Sequence, residues 1–338
     1  MRLCVRLRPL LDTPGPGALE YDKTAHALRV ATQPRATAVA LPPRVAFLDD
    51  TVTDDHVFHA HAPPGLRALV VYGQTGSGKT HTLEHAMRRH VARALRARPL
   101  AMAAIEIYNE KVWDILAPRT PRALKLCDND PEPCRTPPTR QRINSVEAFD
   151  QQLRHVAHLR FQGASRLNAQ SSRSHMVYRI YDEQAVTTFV DLAGNEKGRH
   201  SFCHREAAHI NQSLFAFKEC LRRRAAGAAH VPYRRSQLTR MLRPLLQAPA
   251  GHALFVATLH PGAACVTDTM DTLKYVQAMA DFKAPRARRP PLHAPRPPAV
   301  PPPSRRRRAA AGGRRLRART DGVRAPAAAP AAPAAPAA

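Results

Sequence analysis

The chain of 338 residues carries 52 Lys and Arg against 26 Asp and Glu, a formal net charge of +26. That length suits one large domain or two modest ones, and the charge points to an acidic polymer or surface as partner. Six scattered cysteines without a C-x-x-C pair, no secretory signal and no run near the roughly 20 apolar residues of a membrane span argue for a reducing intracellular compartment and against a membrane role.

The predicted elements follow in chain order. "VRLRP" (5–9) reads by itself as an ordinary edge strand with solvated arginines. "LRALVVY" (66–72) is an apolar strand, and a helix is predicted over roughly 79–97. "LAMAAIEIY" (100–108) is the next strand. "PEPCRTPPTR" (131–140) reads as a surface loop, with Cys127 and Cys134 as surface thiols beside it. A helix over 146–161 precedes "MVYRIY" (176–181) and "AVTTFVDL" (185–192). About three residues separate those two runs, which predicts a hairpin. Helices over 205–223 and 234–246, the strand "HALFVATL" (252–259) and a helix over 267–282 complete the series. Strands alternating with helices predict an α/β fold with a mixed central sheet. No internal repeat or heptad run occurs, so no coiled coil is expected.

After Lys283 the composition changes to Pro, Arg and Ala. Residues 284–338 hold 13 Arg and one acidic residue, a net +12, which leaves +14 in residues 1–283. A segment with almost no large apolar residues cannot offset its ordering entropy, so 284–338 is expected to be a disordered basic tail. Its "RRRR" (305–308) and "RRLRAR" (314–319) read equally as a nuclear localisation signal, a tether or solvated charge.

"YGQTGSGKTHTL" (72–83) fits G-x-x-x-x-G-K-[ST] without a gap, after a strand and before a helix, the context that motif requires. Gly73, Gly76 and Gly78 let the backbone turn its N–H groups toward phosphates. Lys79 brings a cation to the terminal phosphates, and the Thr80 hydroxyl can ligand Mg²⁺. Gln74, Thr75, Ser77 and His81 belong to the same nucleotide-binding stretch.

"NAQSSRSH" (168–175) and "DLAGNE" (191–196) follow in order. Together with "VRLRP", "YGQTGSGKTHTL", "EIYNEKVWDIL", "INQSLFAFKECL" and "VPYRRSQLTRMLRPLL", the chain resembles the kinesin motor domain over residues 2–283. The resemblance implies a P-loop NTPase fold with helices on both faces of the sheet. It also implies an ATPase that binds ATP and Mg²⁺. "NAQSSRSH" is similar to the first switch and "DLAGNE" to the second. Ser172 would then join Thr80 around Mg²⁺, with Asp191 behind them. Asn168 and Ser171 would hold the γ-phosphate and the attacking water, Gly194 would offer its N–H to that phosphate, and Arg173 would pair with Glu196. Arg6, Arg8 and Pro9 would form the shelf under the adenine.

In the matching kinesin helices the track is a microtubule. The helix with Ile210, Leu214, Phe217 and Leu221 at helical spacing buries that stripe, while Lys218, Arg222, Arg234, Arg235 and Arg240, with Arg223, Arg224 and Arg243, form the basic face expected to meet acidic tubulin. Charge does not identify a polyanion, so RNA or DNA is the competing partner, but no aromatic RNA signature is visible. Cys203, His204 and His209 lack a second pair at zinc spacing.

The chain is compact for the family. Sixteen residues separate "HTL" from "LAMAAIEIY", Gln212 replaces a lysine in "INQSL", and Arg235 and Gln237 occupy the changed positions of "RRSQLT". "FKECLR" resembles the internal-motor, microtubule-depolymerising branch, yet residues 26–46 contain no Lys-Val-Asp tip. The expectation is a monomeric, microtubule-stimulated ATPase on the cytoplasmic cytoskeleton, with nuclear entry open to it through the tail. A docking protein that barely turns over ATP and a nucleic-acid ATPase are the alternatives.

Overall fold

The computed structural model describes residues 2–8, 19–22, 24–30, 37–42, 45–48, 67–118, 121–128, 133–163, 173–183, 185–195, 204–248 and 252–280. The tail expected over 284–338, and with it the boundary at Lys283, lies outside the described residues.

Ten strands form the main sheet among the described residues. They are β1 (Arg2–Leu7), β5 (Val45–Leu48), β6 (Ala68–Tyr72), β7 (Leu100–Tyr108), β8 (Lys111–Asp114), β9 (Arg122–Leu124), β10 (Gln141–Ile143), β11 (His175–Tyr181), β12 (Val186–Asp191) and β13 (Ala253–Leu259). The order is β5-β1-β13-β6-β12-β11-β7-β8-β9, with β10 also on β7. The neighbours from β5 to β12 run parallel, and those from β12 to β9 run antiparallel. The mixed sheet and the β11–β12 hairpin are as the sequence predicts. A separate sheet of β2 (Leu19–Asp22), β3 (Ala27–Val30) and β4 (Thr37–Ala40) carried no clear sequence signal, because four-residue strands are too short to show a period.

Alternation along the central strands divides the core in two. Leu69, Val71, Met102, Met176, Phe189 and Val256 face α1 (Lys79–Ala94) and α2 (Val146–Gly163), packing on Leu83, Met87, Phe149 and Val156. Val70, Tyr72, Ile105, Val177, Val190 and Phe255 face the other way. They meet Leu214 and Phe217 of α3 (His204–Ala225), and Leu273 and Val276 of α6 (Val266–Ala280). At roughly 25 cal/mol per Å², burying each such large side chain stabilises by about 1.5–3 kcal/mol, so the two layers fix the strand order.

Three expectations are corrected. β1 is an interior strand between β5 and β13, because Leu3 and Val5 face one core while Cys4 faces the other. The helix expected over 234–246 is three short pieces: a 3₁₀ turn at Tyr233–Arg235, α4 (Gln237–Met241) and α5 (Arg243–Gln247). Ser236 starts α4 with a reciprocal capping box to Thr239, and Pro244, lacking an N–H, cannot continue it. The Pro-rich segment is not simply surface. Within it Pro133, Cys134 and Pro138 are buried. Asp114, fully buried, accepts from Thr139 N and Oγ1, both at 2.8 Å, and from Arg122 at 3.0 Å, which pins the segment down.

Candidate nucleotide site and basic face

The parallel strands β6, β12 and β13 end side by side, with Val71 opposite Asp191 and Tyr72 opposite Ala257. Loop 73–78 leaves β6 at that edge. Gly73 has φ +154°, and a Cβ there would lie 2.3 Å from the Thr258 carbonyl oxygen, so the loop passes too close to β13 for any side chain. Ser77 Oγ donates to Gln74 O at 2.7 Å and meets Thr258 Oγ1 at the same distance. Gly78 caps α1 in the left-handed region (φ 89°) and leaves it without a side-chain cap. Uncapped first-turn amides and the helix dipole together suit this end to an anion.

The charged groups converge here. Lys79 is buried, and its Nζ donates to Gln74 O at 2.8 Å. Thr80 Oγ1 donates to Asp191 Oδ2 at 2.6 Å. Asp191 is buried, and its Oδ1 finds no hydrogen-bond partner among the described residues. Burial raises the Asp191 carboxyl above the usual carboxylate range, against the opposing pull of Lys79 and Thr80. A hydroxyl beside a buried carboxylate with an unused oxygen is a hard-oxygen donor set, which suits Mg²⁺.

Arg6 donates to Thr82 Oγ1 at 2.6 Å, and Arg8 donates to Gly76 O at 2.7 Å. Arg6, on β1, thus reaches the first turn of α1, and Arg8, just past the end of β1, reaches the phosphate loop. Gln74 is buried, while Thr75 and Gly76 are exposed at the loop tip. His81 is exposed, its ring 4.3 Å from that of His85. Glu84, one turn along α1, is held above the usual carboxylate range by burial and by Asp191.

The switch-like stretches are described in part. Arg173 is half-buried and Gly194 is buried. Pro9, Asn168, Ser171, Ser172, Glu196 and Cys203 lie outside the described residues. After β12 the chain is anchored at three residues: Leu192 N donates to Val71 O at 3.2 Å, Ala193 N to His175 Nδ1 at 3.0 Å, and Asn195 Nδ2 to Thr272 Oγ1 of α6 at 2.9 Å.

Sequence reasoning missed a buried cluster beside this edge. Ser174 Oγ donates to Glu106 Oε1 at 2.6 Å and accepts from Arg160 at 2.8 Å, while Arg160 Nε stands 3.4 Å from the same carboxylate oxygen. All three side chains are buried. Glu106 sits inside the apolar run "LAMAAIEIY", and that placement was the available signal.

The basic face is less uniform than its sequence. Lys218 is half-buried, its ammonium 4.5 Å from the Tyr275 ring centre and 5.3 Å from that of Tyr72, so it lies toward the core. Arg222 grips Glu219 through two bonds at 2.8 and 2.7 Å, and Arg223 adds a third at 2.7 Å. These bonds hold the Glu219 carboxyl at about 2. Asp128 draws in the next cluster. Arg234 donates to its Oδ2 at 2.6 Å, Arg243 to its backbone oxygen at 3.3 Å, and Arg240 Nε stands 4.0 Å from Oδ1. Arg240 also donates to Leu126 O at 3.0 Å. Arg235 is exposed, 5.6 Å from the ring centre of Phe215, which is itself 57% exposed.

Comparison with known proteins agrees with this geometry. The family model "Kinesin motor domain" matches residues 64–281. Kinesin-like protein NACK1 of Nicotiana tabacum is 34% identical over 243 residues, covering 62% of this chain and 25% of that protein. Kinesin-like protein KIN-13B of Arabidopsis thaliana is 27% identical over 282 residues, covering 72% of this chain and 40% of that protein. The chain thus spans a quarter to two-fifths of the length of these relatives. With the phosphate-loop pattern on its strand edge and the family model across most of the sheet, the chain belongs to the kinesin motor domain family.

Proposed function

We propose that this chain is an ATP-hydrolysing motor domain that couples γ-phosphate sensing by two switch loops to its affinity for microtubules. The observation that carries the reading is the 2.6 Å bond from Thr80 Oγ1 to Asp191 Oδ2. It joins the first turn of α1, directly after the phosphate loop, to the root of the "DLAGNE" stretch at the end of β12, so a load at one is a strain at the other.

In this reading residues 1–283 are the motor domain and 284–338 a basic tail. Lys79 leaves Gln74 O for the terminal phosphates of ATP, and the backbone of 73–78 wraps the rest. Thr80 and Ser172 would hold Mg²⁺, with the Asp191 carboxylate accepting from the Thr80 hydroxyl. The metal, when bound, offsets phosphate charge. Arg6, Arg8 and Pro9 line the adenine side. Asn168 and Ser171 orient the γ-phosphate and the attacking water, Gly194 offers its amide, and Arg173 with Glu196 closes the site. A contact present with γ-phosphate and absent without it is what a switch needs.

Acidic tubulin meets the exposed charge of Arg222, Arg234 and Arg235, with Arg240 behind them. Lys218 acts from the core side of α3. The protein works as a monomer on the cytoskeleton, and its Arg-rich tail allows nuclear entry. Among the described residues, no helix is long and apolar enough to cross a membrane.

Phosphate release measured with and without microtubules tests the reading. A rate indifferent to microtubules overturns it. Microtubule co-sedimentation abolished by competing RNA or DNA would shift the partner to nucleic acid. Lys79→Ala removes tight ATP binding, whereas Glu196→Ala keeps binding and stops turnover.

A further inference from the structure

His175 opens β11, two residues after Arg173, and is buried. Its ring nitrogens face two different elements. Nδ1 lies 3.0 Å from the backbone nitrogen of Ala193, and Nε2 lies 2.7 Å from Ser213 Oγ on α3. An amide can only donate, so Nδ1 must accept and the ring proton must sit on Nε2. Nε2–H then donates to Ser213 Oγ, which donates onward to Ile210 O at 2.8 Å. Burial alone pulls the imidazole down to about 3, so the ring stays neutral and the tautomer is fixed by its partners.

The placement separates this histidine from ordinary core filling. Residues 192, 193 and 195 hand the stretch after β12 to three elements in turn: Leu192 to β6, Ala193 through His175 to α3, and Asn195 to α6. Ala193 directly precedes Gly194. A flat ring with a bond at each end has no torsion of its own to absorb a shift, unlike a flexible side chain. An apolar residue of the same volume would leave a buried amide unpaired.

We propose that His175 is a positioning residue, conveying displacement of residues 191–195 to α3 through the Ala193 amide on one nitrogen and the Ser213 hydroxyl on the other. The proposal rests on the reading that these residues respond to nucleotide and that α3 faces the track. It adds a specific wire between them.

The two bonds can be cut separately. Ser213→Ala removes the α3 end. His175→Asn keeps an acceptor near Nδ1 and loses the reach to Ser213. His175→Gln keeps a donor near Nε2 and loses the acceptor for Ala193. ATP turnover is measured with and without microtubules. In Ser213→Ala and His175→Asn, stimulation should fall about five-fold, the equivalent of one hydrogen bond. Basal turnover in Ser213→Ala should stay within about two-fold, a level at which folding is intact. The double variant should be no worse than either single, because both cut the same wire.

Amide exchange across α3, with and without a non-hydrolysable ATP analogue, supplies an independent readout. The nucleotide-dependent change in α3 should vanish in Ser213→Ala and His175→Gln while protection of residues 73–78 persists. Additive losses in the double variant, or an undiminished α3 response in the single variants, overturn the relay. If wild-type turnover ignores microtubules, the parent reading falls and the exchange experiment alone decides the relay. An α3 that is insensitive to nucleotide in the wild type refutes it.

Discussion

Arg160→Met is the most informative perturbation of the buried cluster beside the site. Arg160 on α2 and Glu106 on β7 have side chains each only 9% exposed, and Ser174 bridges them at 2.8 and 2.6 Å. Removing one member of a buried pair costs about 3–5 kcal/mol, because the other charge stays buried without its counter-ion. The direct Nε–Oε1 distance of 3.4 Å is long, so much of the attachment runs through the Ser174 hydroxyl, and the low end, about 3 kcal/mol, applies. For a domain of this size that corresponds to a fall in Tm of about 5 °C. Arg160→Met/Glu106→Gln removes both charges and leaves an amide that can still accept from Ser174. It should recover more than half of the loss. Urea unfolding followed by circular dichroism reads both, and unchanged slopes would show that stability itself has moved. A single variant within about 1 kcal/mol of wild type, or a double variant as weak as the sum of the two singles, would refute a coupled buried pair. Because Ser174 follows Arg173 and precedes β11, the same cluster fixes where the chain enters the sheet after the proposed switch arginine.

His175 predicts a pH dependence with a definite sign. Its folded pKa of about 3 lies below the ordinary 6.5, so the unfolded chain binds the extra proton between those values. Stability is full above about pH 6.5 and declines as pH falls toward 3, by at most about 1.4 kcal/mol per unit. His90, also depressed by burial, acts in the same direction, while Asp191 and Glu84, raised by burial, act oppositely. The difference in slope between wild type and His175→Gln isolates the single proton, and identical slopes would contradict the assignment. Asp128→Asn should remove the counter-charge facing Arg234, Arg240 and Arg243 and tighten microtubule binding several-fold at low salt, with the gain fading by about 0.15 M ionic strength; co-sedimentation at two salt concentrations checks it. Removing residues 284–338 should weaken binding most at low salt, and equal affinity with and without them would exclude a tether.

The "YNEK" turn shows where local sequence was insufficient. Asn109 and Glu110 both adopt positive φ, 48° and 54°, to join β7 to β8. Asn tolerates that region readily, whereas Glu does not advertise it. What rewards Glu110 is distant: its carboxylate accepts from Gln237 N at 2.7 Å at the start of α4. β1 is similar. Its arginines suggested an edge, but the neighbours that bury Leu3, Cys4 and Val5 are β5 and β13, one of them about 250 residues away in sequence.

The sequence by itself determined the α/β alternation, the five long central runs, the hairpin and the phosphate loop. Each rests on local physics: hydrophobic period, turn length, or glycine where a backbone must turn. Only the tertiary structure decided which groups meet. His175 finds Ser213 across 38 positions, and Ser174 finds Glu106 across 68. No period or motif encodes such pairs, because strand order sets them, and strand order follows from burying both faces of the sheet at once.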